Sequence, residues 1–288
     1  MKHVTFVFVL LIVLLLAGCT GEAPPAVGTP AWLWLAAKDT HKAGDLDKTS
    51  IHLEKIIKQG NNPYVQRASV WRAVITAGLA QGHLELAQAY AKGWIANRTN
   101  KTFYLRQKFD HLKEAQRYGI GLFECYEACT KQPLDKALIL EFTFPKGSGA
   151  EVADLDRIYK GMEMPEAKRA EAHEKALDRG VVRAVSAVLT TADDVPGAQK
   201  ALASGRAEVP PARMLLAVGT ALEDLSVVFD SKNLAEPDKA KLFHERAQDA
   251  AKRVLAMEPE APLKAAAKRL QANAEKALKA QSKKGARR

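Results

Sequence analysis

Apolar residues recur at helical spacing over most of the chain after residue 30. Within residues 31–40, Leu33, Ala36 and Ala37 mark one face of a helix, and residues 46–57 carry a second apolar face. The segment between them, Ala43-Gly44-Asp45, has the composition of a turn. This pattern predicts a helical hairpin that turns at Gly44.

The same plan repeats further along the chain. Trp71 and Leu79 begin and end one apolar helical face, Gln81-Gly82-His83 provides a second predicted turn, and Tyr90 and Trp94 lie on the helix after it. The two turn glycines are 38 positions apart (82 − 44), which is in the range of helix-hairpin repeats. We therefore expect stacked helical hairpins.

The rest of the chain also has helical periodicity, with breaks at residues 144–151 and 193–197. Further helices are predicted over residues 102–118, 122–131, 134–142, 151–162, 166–178, 181–190 and 262–281. Since a hairpin buries its apolar face only against its neighbours, we expect one elongated α-helical body rather than two domains.

The hairpin around Gly82 resembles the tetratricopeptide repeat (TPR). With Gly82 as the turn glycine of that family, Trp71 takes the position of its opening large residue and Ala87 that of its first small residue. Gly44 fits the same frame but places Thr49 where the family has alanine. The resemblance implies an all-α fold, a right-handed stack of antiparallel helical hairpins (a TPR-like α-solenoid). Generic hairpins without TPR ancestry are the alternative.

One apolar run stands apart from the helical pattern, at residues 4–18. It is about 15 residues long, short of the roughly 20 that a membrane-spanning helix needs, and Lys2 precedes it. Such a run is typical of the apolar region of a signal peptide.

Leu16-Ala17-Gly18-Cys19, which ends this run, resembles the lipobox of bacterial lipoproteins. The resemblance implies cleavage before Cys19 and lipidation of its thiol; an ordinary secreted protein or an uncleaved anchor is the alternative.

These signals divide the chain into four parts. We predict a signal peptide over residues 1–18, a lipidated cysteine and proline-rich tether over 19–30, the helical body over 31–281, and a basic disordered tail over 282–288. Resemblance to the sorting rule of enteric bacteria, with Thr20 after the cysteine, favours the periplasmic face of the outer membrane. The predicted membrane contact is the lipid anchor on Cys19.

Composition supports a folded body and places most of the charge near the end. Apolar residues make up 47% and charged residues 26%, and the net charge is +10. Residues 258–288 contain nine lysines or arginines and three glutamates, a net +6. A solvated terminus explains this charge, with anionic headgroups as the alternative. No nucleic-acid partner is expected for an exported protein.

The sequence contains no motif that predicts catalysis. His173-Glu174 and His244-Glu245 begin like the zinc-protease motif, but Leu177 and Gln248 stand where its second histidine is required. The chain also has no nucleophile elbow or phosphate-binding glycine loop. We therefore expect a non-enzymatic protein with no cofactor and no metal.

Cys125 and Cys129 are one turn apart on a predicted helix. That spacing is near the upper limit for a disulfide, which an oxidising compartment would permit. Two buried free thiols, or metal or redox chemistry, are the alternatives.

The expected function is that of a lipid-anchored scaffold or adaptor in the cell envelope that binds an unidentified protein or peptide. Trp71, Trp94 and Tyr90 are its candidate contact residues, although aromatic residues at such positions also pack between helices. The alternative function is a small-ligand-binding accessory component of a periplasmic solute transporter, since the helical lipoprotein partner of tripartite transporters has a similar architecture. A ligand-sized cavity along the helices would favour this alternative, and an open concave surface would favour the adaptor.

Overall fold

The computed structural model of the chain describes residues 24–97, 99–131 and 133–285, and the predicted all-α class is confirmed over them. The elements are, in chain order, α1 (Pro30–Ala43), α2 (Leu46–Lys58), α3 (Val65–Ala96), α4 (Lys101–Thr130), β1 (Leu138–Leu140), α5 (Ala153–Tyr159), α6 (Glu166–Leu189), α7 (Val195–Ala201), β2 (Ala207–Val209), α8 (Pro211–Leu225), a 3-10 turn (Ser226–Phe229), α9 (Pro237–Ala256) and α10 (Ala261–Gly285).

The first hairpin forms as predicted. Thr29 caps α1 by accepting a hydrogen bond from the Trp32 amide at 3.3 Å, and Pro30 takes the first helical position, where its missing N–H costs nothing. Gly44 ends the helix with a φ of 87°, a left-handed conformation that glycine adopts without steric cost. Asp45 then caps α2 through the Lys48 amide.

Helix α3 is the centre of the molecule. Every residue from Ala68 to Ala80 is buried, because α3 packs against α2, α4, α5, α6, α8 and β1. A helix that is buried on all sides needs no single apolar stripe. The main core surrounds its first half, and a smaller core forms where its second half, from Leu86 to Tyr90, meets α4, α5 and α6.

The predicted turn at Gly82 is wrong, because α3 continues through it from Val65 to Ala96. Gly82 faces α6, where an added Cβ atom would lie 2.9 Å from the backbone oxygen of Ala176. Gly78 and Gly180 meet backbone to backbone one turn further along. These glycines allow α3 and α6 to approach closely. The TPR alignment that placed Gly82 at an interhelix turn therefore has no turn to match.

Other boundaries also differ from expectation. The helices predicted over 102–118 and 122–131 are one helix, α4, and its glycines at 119 and 121 do not interrupt it. Those predicted over 166–178 and 181–190 are likewise one helix, α6. Residues 138–140, predicted as helix, form strand β1, which pairs antiparallel with β2 so that Leu138 faces Val209 and Leu140 faces Ala207. Leu138 and Leu140 point into the core, as alternation along a strand requires.

Helix α10 continues to Gly285, so residues 282–285 are helical and not the start of a disordered tail. The buried seam of Ala267, Leu270 and Ala274 holds the helix against the body, and glycine is a common residue at a helix end.

Candidate ligand-binding groove

A groove of about 880 Å³ lies between α3, α6 and α8, with the start of α10 at one edge. This volume is in the range of small-molecule sites, about 300–1,000 Å³. Its walls are largely apolar and small, with alanines from each of the three long helices. Ala77 on α3, Ala184 and Ala187 on α6, and Ala217 and Ala221 on α8 leave the space that larger side chains would fill.

Helix α8 presents one complete stripe to this groove. Its groove-facing residues are Arg213, Leu216, Ala217, Thr220, Ala221 and Asp224, at spacings of three and four. A second stripe, which includes Met214, Leu215 and Leu222, is buried in the core, and Val218 lies between the two stripes and also lines the groove. The helix therefore carries two apolar faces, of which only one is covered by protein.

Arg213 and Asp224, at the two ends of the groove-facing side of α8, have no charged partner within the described parts of the chain. Arg213, in the first turn of α8, donates to the backbone oxygen of Thr190 and forms no ion pair. Asp224, in the last turn, accepts one long hydrogen bond of 3.3 Å from Gln81 Nε2. Desolvation in the groove, and then the neighbouring carboxylate of Glu223, raise the pKa of Asp224 to about 6.

The wall opposite α8 carries paired charges. Arg179, with only 7% of its surface exposed, forms an ion pair with Glu85 of α3, yet its Nε atom is buried with no hydrogen-bond partner among the described residues. Arg183 pairs with Asp193 at 2.6 Å on the exposed rim. The Nε donor of Arg179 is therefore left unsatisfied inside the wall of the groove.

A second unusual cluster lies between α3, α4 and α6 and contains three histidines. His83 and His111 face each other through their Nδ1 atoms at 3.1 Å, and Tyr90 is hydrogen-bonded to His173 through a 2.7 Å contact with its Nε2. The Tyr90 ring also stacks on His111, and the Tyr118 ring stacks on His83.

Burial makes protonation of this cluster unfavourable. Desolvation lowers the pKa of His111 to about 3 and the pKa values of His83 and His173 to about 4, with smaller effects from neighbouring cations. Within the described ranges, no group of three or more histidine, cysteine or acidic residues has a geometry suited to a metal ion. The cluster is a packed, neutral arrangement of rings.

The structure separates the three predicted contact aromatics. Trp71 has no exposed surface and stacks on Phe142 at a centroid distance of 4.9 Å, and Tyr90 is 1% exposed within the histidine cluster. Both pack between helices, the alternative allowed from the sequence. Trp94 is 39% exposed and lies beside Ile95, which is 74% exposed. Of the three aromatics, only Trp94 offers surface to a partner.

Cys125 and Cys129 are both free and buried on α4, so the thiols are not paired. Burial raises the pKa of Cys125 to about 12 and also raises the pKa of Cys129, which suppresses the thiolates and hence their reactivity. His111, on the same helix, contacts His83 and His173 and not these thiols.

Cys19, the predicted signal peptide over residues 1–18 and residues 286–288 lie outside the described residues. In the part of the chain that is described, none of the helices combines the length and the hydrophobicity needed to cross a bilayer.

The groove residues are not predicted by the sequence patterns described above. A signal for them exists in α8, where apolar or small residues continue around the helix from Leu215 to Ala217 and from Ala221 to Leu222. A helix with two such faces must cover both or leave one for another molecule.

Comparison with known proteins gave no match: no family model, no curated protein and no solved structure matched this chain. The function is therefore inferred from the groove itself.

Proposed function

We propose that this protein is a non-catalytic, lipid-anchored component of the cell envelope that binds a small ligand in the groove between α3, α6 and α8. The groove carries the proposal, because it combines a ligand-sized volume, apolar walls and a few polar groups that converge on it. This is the ligand-binding alternative expected from the sequence, in which the protein serves a periplasmic transport system.

The anchor belongs to the same proposal. Acyl chains on Cys19 would hold the protein at the periplasmic face of the outer membrane, since two or more chains give lasting attachment. This arrangement would keep the groove close to the membrane and raise the effective concentration of the binding site there.

An amphipathic anionic dye, 1-anilinonaphthalene-8-sulfonate, which fluoresces in apolar surroundings, tests whether the groove accepts a ligand. We expect Ala184→Trp, on the α6 wall, to lower dye binding at least tenfold because the indole fills the space. Ala170→Trp is the matched control, since Ala170 is exposed on the same helix outside the groove. Equal dye binding by both variants would contradict the proposal.

The anchor is tested separately in cells. Cys19→Ala should leave the precursor unprocessed by the lipoprotein peptidase and should abolish labelling with a radioactive fatty acid. A Cys19→Ala protein that still acquires the fatty acid would refute lipidation at this residue.

The adaptor function is a second candidate, and one observation favours it. Trp94 and Ile95 expose apolar surface side by side at the end of α3. Crosslinking in intact envelopes tests this: we expect Trp94→Ala to remove a crosslinked partner that wild type retains. Retention of every partner by Trp94→Ala would exclude this surface.

TPR-like stacking, expected from the sequence over the whole helical body, is now proposed for two hairpins. We infer TPR-like packing only for α1–α2, which turns at Gly44, and for α8–α9 near the other end. An experimental structure in which these two hairpins do not superpose would contradict it.

A further inference from the structure

Helix α8 carries opposite charges at the two ends of its groove face, and both are placed against the helix dipole. Arg213 lies in the first turn, where the helix favours anions, and Asp224 lies in the last turn, where it favours cations. Neither has a charged partner among the described residues. At α8 this placement has a small cost, which Arg213 partly offsets by donating to the Thr190 carbonyl at the C-terminal end of α6.

A ligand of opposite polarity would remove this cost. An anionic group bound at Arg213 would meet both the guanidinium and the positive end of the helix, and a cationic group at Asp224 would meet both the carboxylate and the negative end. The residues between these two charges are Leu216, Ala217, Thr220 and Ala221, so the middle of the ligand must be mainly apolar.

The separation of the charges sets the length of the ligand. Arg213 and Asp224 are eleven positions apart, which corresponds to about 16 Å along a helix. An extended peptide advances about 3.3 Å per residue, so about five residues span this distance. From the charges and their spacing we infer that the groove binds a short apolar peptide with free ends, its carboxylate at Arg213 and its amino group at Asp224. This inference rests on the proposed ligand-binding function.

The groove also supplies donors for the backbone of such a peptide. The Nε atom of Arg179 is closed off from solvent and therefore from a ligand in the groove, so the carbonyl oxygens of an extended peptide need other donors. Gln81 and Gln88 of α3 line the same side of the groove. Their amides can donate to a peptide carbonyl or accept from a peptide N–H.

Other charges at the groove are consistent with this orientation. Arg179 and Arg183 are already paired with Glu85 and Asp193, so they add little net attraction for a second anion. Glu260, which precedes α10, lines the groove but is exposed to solvent and forms no ion pair within the described chain. Asp224 is exposed as well, so solvent screens both carboxylates, and only Asp224 lies on the same face of α8 as Arg213.

The first test measures the binding of synthetic peptides of alternating alanine and leucine by titration calorimetry. We expect the pentapeptide with free ends to bind at least tenfold more tightly than the dipeptide, because only the longer chain reaches both charges. Acetylation of its amino group, or amidation of its carboxyl group, should each weaken binding about tenfold, the effect of losing one charged contact. Insensitivity to both blocking groups would overturn the inference.

Two charge-neutralising variants then assign each end. Asp224→Asn should weaken binding of the free pentapeptide about tenfold and should have no effect on the acetylated peptide. Arg213→Gln should weaken the free peptide similarly and leave the amidated peptide unchanged. The opposite pairing of variants and blocked ends would overturn the stated orientation.

Matched controls come from α4, outside the groove. Arg106→Gln and Asp110→Asn remove the same two charge types from an exposed pair 3.7 Å apart, and we expect both to bind the pentapeptide like wild type. If these controls weaken pentapeptide binding as much as Arg213→Gln and Asp224→Asn do, the effect comes from the net charge of the protein. That result would refute a specific site.

The peptide ligand and the proposed groove function fail in different ways. If the dye binds wild type and not Ala184→Trp while no peptide competes with it, the groove binds ligands but the peptide class is wrong. Competition by a fatty acid that is unaffected by Asp224→Asn would likewise exclude the peptide class and retain the groove. If Ala184→Trp and Ala170→Trp bind the dye equally, the proposed groove function itself fails.

Discussion

The groove and the histidine cluster both involve helices α3 and α6. They differ in how many of their polar side chains have partners within the protein. In the cluster, hydrogen bonds join His83 to His111 and Tyr90 to His173, and the Nε2 atom of His111 is the one cluster atom buried without a partner among the described residues. In the groove, Asp224 and Arg213 have no charged partner in the described chain, and Arg179 has a buried donor without a partner.

This difference separates a structural site from a binding site. Buried polar groups that satisfy one another rigidify a fold, whereas groups left without partners reduce stability. The cluster is filled by its own side chains, and we propose that the groove is completed by another molecule. Polar residue types alone would favour the histidine cluster as the functional site, but the groove has the space to bind a ligand.

The largest expected effect comes from the close contact that both regions share. Gly180→Ala would force a Cβ atom into the backbone of Gly78, and backbone atoms cannot yield as a side chain can. We expect a loss of about 3 kcal/mol or more in the free energy of unfolding, measured by urea denaturation. Both dye binding and the cluster should be disturbed.

Gly121→Ala is the comparison for this variant. A Cβ atom there would first meet the Nη2 atom at the tip of Arg72, at 3.2 Å. We expect a change within about 1 kcal/mol, because alanine also favours the helix. If the two substitutions cost the same, the contact between α3 and α6 is not special.

The next effect is acid sensitivity from the cluster. Its histidines have folded-state pKa values of about 3 to 4, below the ordinary value of 6.5, so the unfolded chain binds more protons in between. The free energy of unfolding should therefore fall as pH drops from about 6.5 towards 4, by about 1–2 kcal/mol per histidine at pH 4.5.

Denaturation at pH 7.5 and pH 4.5 measures this loss. His111→Phe should retain more of its stability at pH 4.5 than wild type does, since the ring is kept and the titrating group is removed. The same loss in His111→Phe as in wild type would show that the cluster does not cause the acid sensitivity.

A smaller effect is expected from the hydroxyl of Tyr90. Tyr90→Phe removes its 2.7 Å hydrogen bond with His173 and leaves the ring packing intact. We expect a loss of about 1 kcal/mol at pH 7.5 with no change in dye binding. Weaker dye binding at unchanged stability would show that the two regions are coupled.

The smallest effect tests the unpaired charge in the groove. Asp224→Asn should leave stability at pH 7.5 unchanged or raise it by up to about 1 kcal/mol, because it removes an anion from a helix C-terminus, with solvent screening the gain. In wild type, peptide binding should weaken as pH falls below about 6, where the carboxylate becomes protonated. A clear loss of stability in Asp224→Asn would mean that the carboxylate has a structural partner.

Glycine illustrates how far the sequence can be interpreted. Gly44 and Gly82 have the same local signal, a glycine between two apolar helical faces, and this signal predicts a turn at both. Gly44 takes a positive φ and ends α1, whereas Gly82 lies inside α3 because α6 packs against it. Local composition cannot distinguish these uses, since the second depends on a helix almost 100 residues away in the chain.

The sequence by itself determined the helical class, the capped hairpin at Gly44 and the prediction of a lipid-anchored protein, because these depend on periodicity and on short motifs. The tertiary structure alone decided that α3 is one continuous buried helix, that Trp71 and Tyr90 are interior residues, and that Arg213 and Asp224 line one groove. Helical periodicity specifies which residues share a face, but only packing against distant segments decides whether that face is covered or left open.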